Sequence, residues 1–120
     1  MDILFWIILG FVVFMFISRM LPVKGVQSIS TNELREMLSH KNKQFIDVRT
    51  PGEYQNYHIK QFKNIPLNEL QSSLKQLDKT KETVLICQSG MRSMRAAKML
   101  KKAGFIHITN VTSGMNAWKE

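Results

Sequence analysis

The sequence predicts an α/β protein with a parallel sheet covered by helices on both faces. Three observations lead there. Short apolar runs alternate with stretches of helical periodicity along the chain. Glycine, proline or a capping residue marks the changeovers. One of the runs, Val84-Leu85-Ile86, is apolar on successive residues, as a strand buried on both faces requires.

The first element is ILFWIILGFVVFMFI, Ile3 to Ile17, which carries no charge. As a helix it rises about 22 Å, short of a hydrocarbon core of about 30 Å, but Met1 and Ser18 to Val23 can lengthen it, with Arg19 at its edge. Asp2 and the absence of an Ala-x-Ala pattern argue against a cleaved signal peptide. The lack of a polar face argues against a core helix. The expectation is one transmembrane helix, with membrane contact over residues 2–21. Arg19 and Lys24 follow the apolar run and no Lys or Arg precedes it, so the expected localisation is the cell membrane, single-pass, with the domain facing the cytoplasm. The expected division is 1–22 for the anchor and 23–120 for the folded domain.

Pro22 and Gly25 read as a hinge. SISTNELREML follows as a short strand and then a helix, with Ser30 and Glu33 at capping-box spacing and Leu34, Met37 and Leu38 on its apolar face. Gln44 to Thr50 is a buried strand ending at Asp47, and Pro51-Gly52 turns the chain. Leu67 to Leu77 is a helix with Leu67, Leu70, Leu74 and Leu77 on one side. TVLIC is a strand. RSMRAAKMLKKAG is a helix stopped by Gly104. FIHIT is another strand, and GMNAWKE is a short closing helix, with Trp118 and Phe105 expected to close the core.

The chain carries 17 basic and 9 acidic residues, a net charge of +8. Asp2 and Arg19 cancel, so the segment after residue 20 carries the same excess. Such a domain attracts small anions. No recognition helix, zinc pattern or stacking platform accompanies the charge, so nucleic acid is not an expected partner. One cysteine and three scattered histidines make no metal site, and no cofactor is expected.

The stretch LICQSGMRSMRAAKML holds the single cysteine, Cys87, at the end of a strand. In open α/β sheets, ligands bind beyond the carboxyl ends of the strands. The next helix begins near Arg92-Ser93, and its first amides lack intrahelical partners. Gly90 lets the backbone curl, so that successive N–H groups can face a common centre and favour an anionic sulfur there. Arg92 near a helix N-terminus opposes the macrodipole by a few tenths to about 1 kcal/mol, which makes sense if it meets an anion. Taken alone, Cys87 reads equally well as a small buried hydrophobe.

CQSGMRS resembles the active-site loop of rhodanese-type sulfurtransferases, Cys-x-x-Gly-x-Arg-Ser. FIDVRTPGEYQNYHIKQFKNIPL is similar to that family's Asp-Val-Arg, Glu-Tyr, His-Ile and Asn-Ile-Pro stretch. VTSGMNAW is similar to its closing Gly-Gly-Met-x-x-Trp segment, with Ser113 in place of the first glycine. The resemblance runs from about Val26 to Lys119. It implies a rhodanese-like three-layer fold with a mostly parallel five-stranded sheet. The implied activity is transfer of a sulfane sulfur, from thiosulfate or a related small anionic donor, through a Cys87 persulfide to a thiol or cyanide. With no second cysteine, the acceptor thiol must come from outside, as a small molecule or a partner protein's cysteine.

The resemblance makes Cys87 the nucleophile. Gln88, Ser89, Gly90, Met91, Arg92 and Ser93 form the substrate-binding loop, with Gln88, Ser89 and Met91 at its rim. Arg92 has two open roles: holding the anionic donor, or pinning the loop through its carbonyls. Asp47 and Arg49 are supporting charges that brace the loop or simply pair at the sheet end, and Glu53 is expected to pair with Arg49. His58 has a general-base reading, but the motif favours packing and hydrogen bonding. Phosphatases and arsenate reductases use Cys-x5-Arg, and the four residues between Cys87 and Arg92 leave a tighter loop, suited to one sulfur atom. A non-turnover sulfur carrier or a regulatory docking module stays open as the non-enzymatic alternative.

Overall fold

The computed structural model describes residues 2–20 and 24–119. Its elements in order are α1 (Ile3–Met20), β1 (Val26–Ile29), α2 (Thr31–Met37), β2 (Lys43–Asp47), α3 (Pro51–Asn56), β3 (Lys63–Asn64), α4 (Leu67–Ser73), β4 (Glu82–Ile86), α5 (Met91–Lys102) and β5 (Ile108–Val111). Short 3₁₀ turns cover Leu74–Gln76 and Gly114–Ala117. The five strands form one sheet in the order β1-β5-β4-β2-β3, with every pair parallel. The α/β fold with helices on a five-stranded parallel sheet is therefore present.

Local chemistry explains most boundaries. Ser30 caps α2 through the expected capping box: its hydroxyl accepts from Glu33 N at 3.2 Å, and Glu33 Oε1 accepts from Ser30 N at 3.3 Å. The leucine stripe of α4 and the turn after it packs as expected, with Leu70 fully buried and Leu67, Leu74 and Leu77 against the same cluster. The last turn of α5 closes as a Schellman motif, in which Gly104 N donates to Lys101 O at 3.1 Å and Phe105 N to Leu100 O at 3.0 Å. Phe105 and Leu100 then meet in the core on the α5 side of the sheet. A second cluster, on the opposite face, joins Ile29, Leu34, Phe45, Val84 and Ile86, and Trp118 packs against it with the Arg35 guanidinium over its ring.

Three elements differ from the sequence reading. Pro51-Gly52 does not simply turn the chain; it opens α3, which Thr50 and Glu53 cap as a second capping box. The strand in FIHIT starts late, at Ile108, and runs on to Val111. The fifth strand, β3, has only two residues, too short to leave a period-2 pattern.

The N-terminal expectation is corrected. α1 has 18 residues and rises about 27 Å, below the roughly 30 Å of a hydrocarbon core. No helix among the described residues is long and apolar enough to cross a membrane. That finding overturns the transmembrane helix, the membrane contact over residues 2–21, and the cell-membrane localisation with a cytoplasmic domain. Leu21 to Val23, which were to lengthen the helix, and Pro22 of the hinge lie outside the described residues. The side chains from Asp2 to Ser18 are all exposed.

Phe105 is 4 % exposed and bridges the end of α5 to the sheet. Phe105→Ala should cost about 3–5 kcal/mol of unfolding free energy, read from the urea midpoint at unchanged m-value.

Candidate active site

The strand ends of β2 and β4 set the site. Asp47 lies opposite Ile86 in register, and Val48 N donates to Ile86 O at 3.0 Å, so the residues that follow each strand emerge side by side. On β4 these are Cys87 and Gln88; on β2 they are Val48 and Arg49.

Cys87 is fully buried. Its Sγ accepts a hydrogen bond from Gly90 N at 3.0 Å and lies 3.3 Å from Ser93 Oγ, which in turn donates to Gly90 O at 3.1 Å. Gly90 makes this possible with φ of +98°, in the left-handed region, as the N-cap of α5. One loop amide, rather than a ring of them, reaches the sulfur. The Ser93 hydroxyl has one proton to give. With a thiol, S–H points to Ser93 Oγ while the hydroxyl serves Gly90 O; with a thiolate, the same hydroxyl can turn to Sγ.

The loop rests on the C-terminal turn. Met115 N donates to Cys87 O at 2.8 Å and Asn116 N to Gln88 O at 2.9 Å. A Cβ on Gly114 would collide with Cys87 O, so only glycine fits there. Ser113, at the position where the family motif has glycine, takes φ of +63°, the one non-glycine residue in that region among those described.

Asp47 and Arg49 form a buried ion pair, 0 % and 3 % exposed, with Arg49 Nη2 at 2.8 Å from Asp47 Oδ2 and Nε at 3.0 Å from both oxygens. Arg49 also reaches outward: Nη2 donates to Tyr57 O at 2.7 Å and Nη1 to Gln88 Oε1 at 3.2 Å. The pair closes the sheet end and touches the loop at Gln88. Gln88 passes the contact on, donating through Nε2 to Asn116 Oδ1 at 2.7 Å. Its side chain is thus a tie between two elements rather than a free rim group. Ser89 and Met91 are exposed, Met91 at 77 %.

Glu53 does not pair with Arg49, as expected from sequence, but with Arg92. The contact is bidentate: Nη1 to Oε1 at 2.7 Å and Nη2 to Oε2 at 2.9 Å. Arg92 therefore pins the loop through a carboxylate and not through loop carbonyls, and the anion that its place at a helix N-terminus calls for comes from the protein itself. The Arg92 hydrogen bonds, with those from Thr50, hold the Glu53 carboxyl down at about 2 from its ordinary 4.5, against the opposing effect of burial. The same partner raises Arg92 above its ordinary value. His58 is exposed, stacks on the Tyr54 ring at 3.9 Å, and has Nδ1 2.7 Å from Tyr54 O, so its contacts are those of a packing residue.

Sequence reasoning missed Tyr57 and Asn116 as parts of this frame, along with Asn64, whose Nδ2 donates to Asp47 O at 3.0 Å and Arg49 O at 2.9 Å. A signal for α3 was available in Thr50-Pro51-x-Glu53, a capping box with proline at the first helical position. Asn64 lies in the Asn-Ile-Pro stretch of the resemblance, but no signal assigned it, Tyr57 or Asn116 these partners, which the fold sets. Among the described residues, no cluster of His, Cys, Asp or Glu is arranged to hold a metal ion.

A lone buried cysteine at a strand end, cradled by the turn into a helix on a five-stranded parallel sheet, defines a cysteine-loop α/β protein. The comparisons agree. The rhodanese-like domain model matches residues 30–120. The chain is 39 % identical over 95 residues to the putative sulfurtransferase YtwF of Bacillus subtilis, covering 78 % of this chain and 91 % of that one. It is 30 % identical over 98 residues to the thiosulfate sulfurtransferase GlpE of Shewanella oneidensis, covering 82 % and 97 %. The crystal structure of a rhodanese-like domain protein from Staphylococcus aureus superposes with a TM-score of 0.72 at 33 % identity, covering 78 % and 92 %. The chain belongs to the rhodanese-like family of sulfurtransferases and sulfur carriers.

Two outcomes follow from these ion pairs. Arg49→Met leaves Asp47 buried and unpaired, and should cost about 3–5 kcal/mol in denaturant unfolding. The Glu53 carboxyl is depressed in the folded state, so its contribution to stability is complete above about 4.5 and is lost as pH falls toward 2. The Tm gap between the wild type and Glu53→Gln should therefore be widest near neutrality and close across that window, as followed by circular dichroism at each pH.

Proposed function

We propose that the chain is a sulfurtransferase that takes a sulfane sulfur from thiosulfate or a similar small anion onto Cys87 and passes it to an external thiol or to cyanide. The observation that carries this reading is the Cys87 sulfur held between the Gly90 N–H and the Ser93 hydroxyl. Both groups can donate to an anionic sulfur, and neither takes part in the covalent step.

In the first half-reaction the Cys87 thiolate attacks the outer sulfur of thiosulfate. The S–S bond of the donor breaks, and sulfite leaves with its electron pair. The Gly90 N–H and Ser93 O–H then serve the negative charge of the persulfide. In the second half-reaction an acceptor thiolate or cyanide attacks the outer persulfide sulfur, and the electron pair returns to Cys87 Sγ. No oxidant or reductant is consumed. Cys87 is buried, and the exposed Ser89 marks the side of the loop from which a donor approaches. Arg92 acts on the donor only to the extent that the donor draws it from Glu53; otherwise it keeps the start of α5 against α3. Gly90, Arg92 and Ser93 thus hold the loop in shape, while Asp47, Arg49, Glu53 and Gln88 brace it.

The domain division follows the same reading: the sulfur-transfer unit begins with β1, and α1 has no part in the chemistry. The similarity to a thiosulfate sulfurtransferase favours thiosulfate as the first donor to try. A stoichiometric carrier would load in the same way and differ only in failing to turn over.

Incubation with thiosulfate and no acceptor should add one sulfur atom to the intact chain, seen by mass, and later addition of cyanide should remove it with release of thiocyanate. Cys87→Ser should abolish both steps. Sulfur retained by Cys87→Ser, or a transfer that needs donor and acceptor bound together, would overturn the mechanism. Loading with a single discharge and no cycling would identify a carrier.

A further inference from the structure

The largest apolar surface of the described chain is one that the fold leaves uncovered. Every residue from Ile3 to Ile17 except Gly10 carries a large apolar side chain, and all of these are exposed, Phe14 at 67 %. None of them joins either buried cluster of the domain, and the molecule measures 58 Å along its longest axis against 31 and 26 Å across. Water is a poor partner for such a helix, so something apolar has to cover it.

Three observations limit what that can be. The domain itself offers no platform: outside α1 the exposed large apolar side chains among the described residues are Tyr57, Met91 and Ile106, single residues on separate segments. A partner with one groove, shaped for an amphipathic helix, would cover only one stripe. Ile7, Phe11 and Phe14 share one face of α1, while Phe5, Leu9 and Phe16 share the opposite one, so both sides need a neighbour. The area is also large. The five aromatic side chains, each of about 150–250 Å² and exposed by roughly half, leave about 500 Å² uncovered, and the aliphatic ones carry the total past the ~800 Å² per partner of a stable interface.

We propose that α1 is a self-association helix, and that what covers it is further copies of α1 in an antiparallel bundle of about four chains. A second copy meets each requirement at once, because it brings a helix of the same length that is apolar on every side. No charge lies between Asp2 and Arg19, so packing along this stretch buries none. Open space surrounds Gly10 at mid-helix, where a neighbouring helix can approach closely. Two copies would each keep one of the two faces wet, so association does not stop at a pair. The orientation follows from charge. The segment after residue 20 carries +8 in every copy, and parallel packing would crowd these segments at one end. Antiparallel neighbours set them about 27 Å apart along the bundle, well beyond a Debye length of about 8 Å. This inference is independent of the chemistry at Cys87.

The test is sedimentation velocity on the full chain in buffer without detergent. One defined species of about four times the mass of a single chain is expected. Phe11→Lys/Phe14→Lys should raise the concentration for half-association by about a hundredfold or more, while the thermal unfolding of the domain, followed by circular dichroism, stays at the wild-type midpoint. For orientation, Phe5→Cys and Ile17→Cys chains, each in a Cys87→Ser background, are mixed and oxidised. Disulfide-linked pairs of one chain of each kind, told apart by mass, should outnumber pairs of like chains. A monomer, a polydisperse aggregate, an unchanged assembly in the double lysine variant, or a majority of like pairs would overturn the proposal. So would break-up of the assembly on adding vesicles of phosphatidylcholine and phosphatidylglycerol with the chain floating among them, since lipid would then be the preferred cover.

Discussion

The buried ion pair of Asp47 and Arg49 is the constraint on which the rest of the site depends. Two charges taken wholly out of water are tolerated only if geometry and further hydrogen bonds compensate. Here Asp47 receives donors from Arg49 at both oxygens, and Arg49 also donates to Tyr57 O and Gln88 Oε1. The pair therefore cannot be satisfied unless β2, the segment after α3, and the first residue of the cysteine loop are all in place. A purely apolar cluster would allow small slips between these pieces; directional bonds to a buried guanidinium do not.

A second bridge holds the far end of the loop. Glu53 belongs to the first turn of α3 and Arg92 to the first turn of α5, and their bidentate contact draws the two helix starts together. Glu53 Oε1 also accepts from Thr50 N and Thr50 Oγ1, so one carboxylate both caps a helix and anchors the loop. Arg92 relieves its own conflict with the α5 dipole by this pairing. The loop is thus clamped at Gln88 by Arg49 and at Arg92 by Glu53, with Gly90 free to curve over the sulfur between them. The C-terminal turn supplies the third support, because Gly114 allows the chain to press directly on the Cys87 carbonyl.

Much of this was legible in the linear chain. The Ser30 capping box, the leucine stripe of α4, the glycine that stops α5 and the cysteine at a strand end are local patterns, decided within a few residues by hydrogen bonding and helical spacing. The buried strands declared themselves by their apolar runs. β3 did not, because two residues carry no period. α3 was overlooked although Thr50-Pro51-x-Glu53 announces it, since Pro-Gly reads first as a turn. The N-terminal run looked long enough to span a bilayer only when flanking residues were added, and the helix among the described residues has 18 residues.

What the sequence determined by itself was most of the alternation of strands and helices and the placement of Cys87 and Gly90 at a strand-to-helix turn, which follow from residue type and short spacing. Tertiary structure alone decided which charges meet. From sequence, Arg49 is the near neighbour of Glu53 and its expected partner. The choice falls to Arg92, 39 positions away, because the parallel register of β2 and β4 brings the starts of α3 and α5 together while Asp47 already occupies Arg49. The same holds for Asn110, an ordinary strand residue in sequence. Its position beside β4 carries it under Gly90, with one polar atom buried and unpaired.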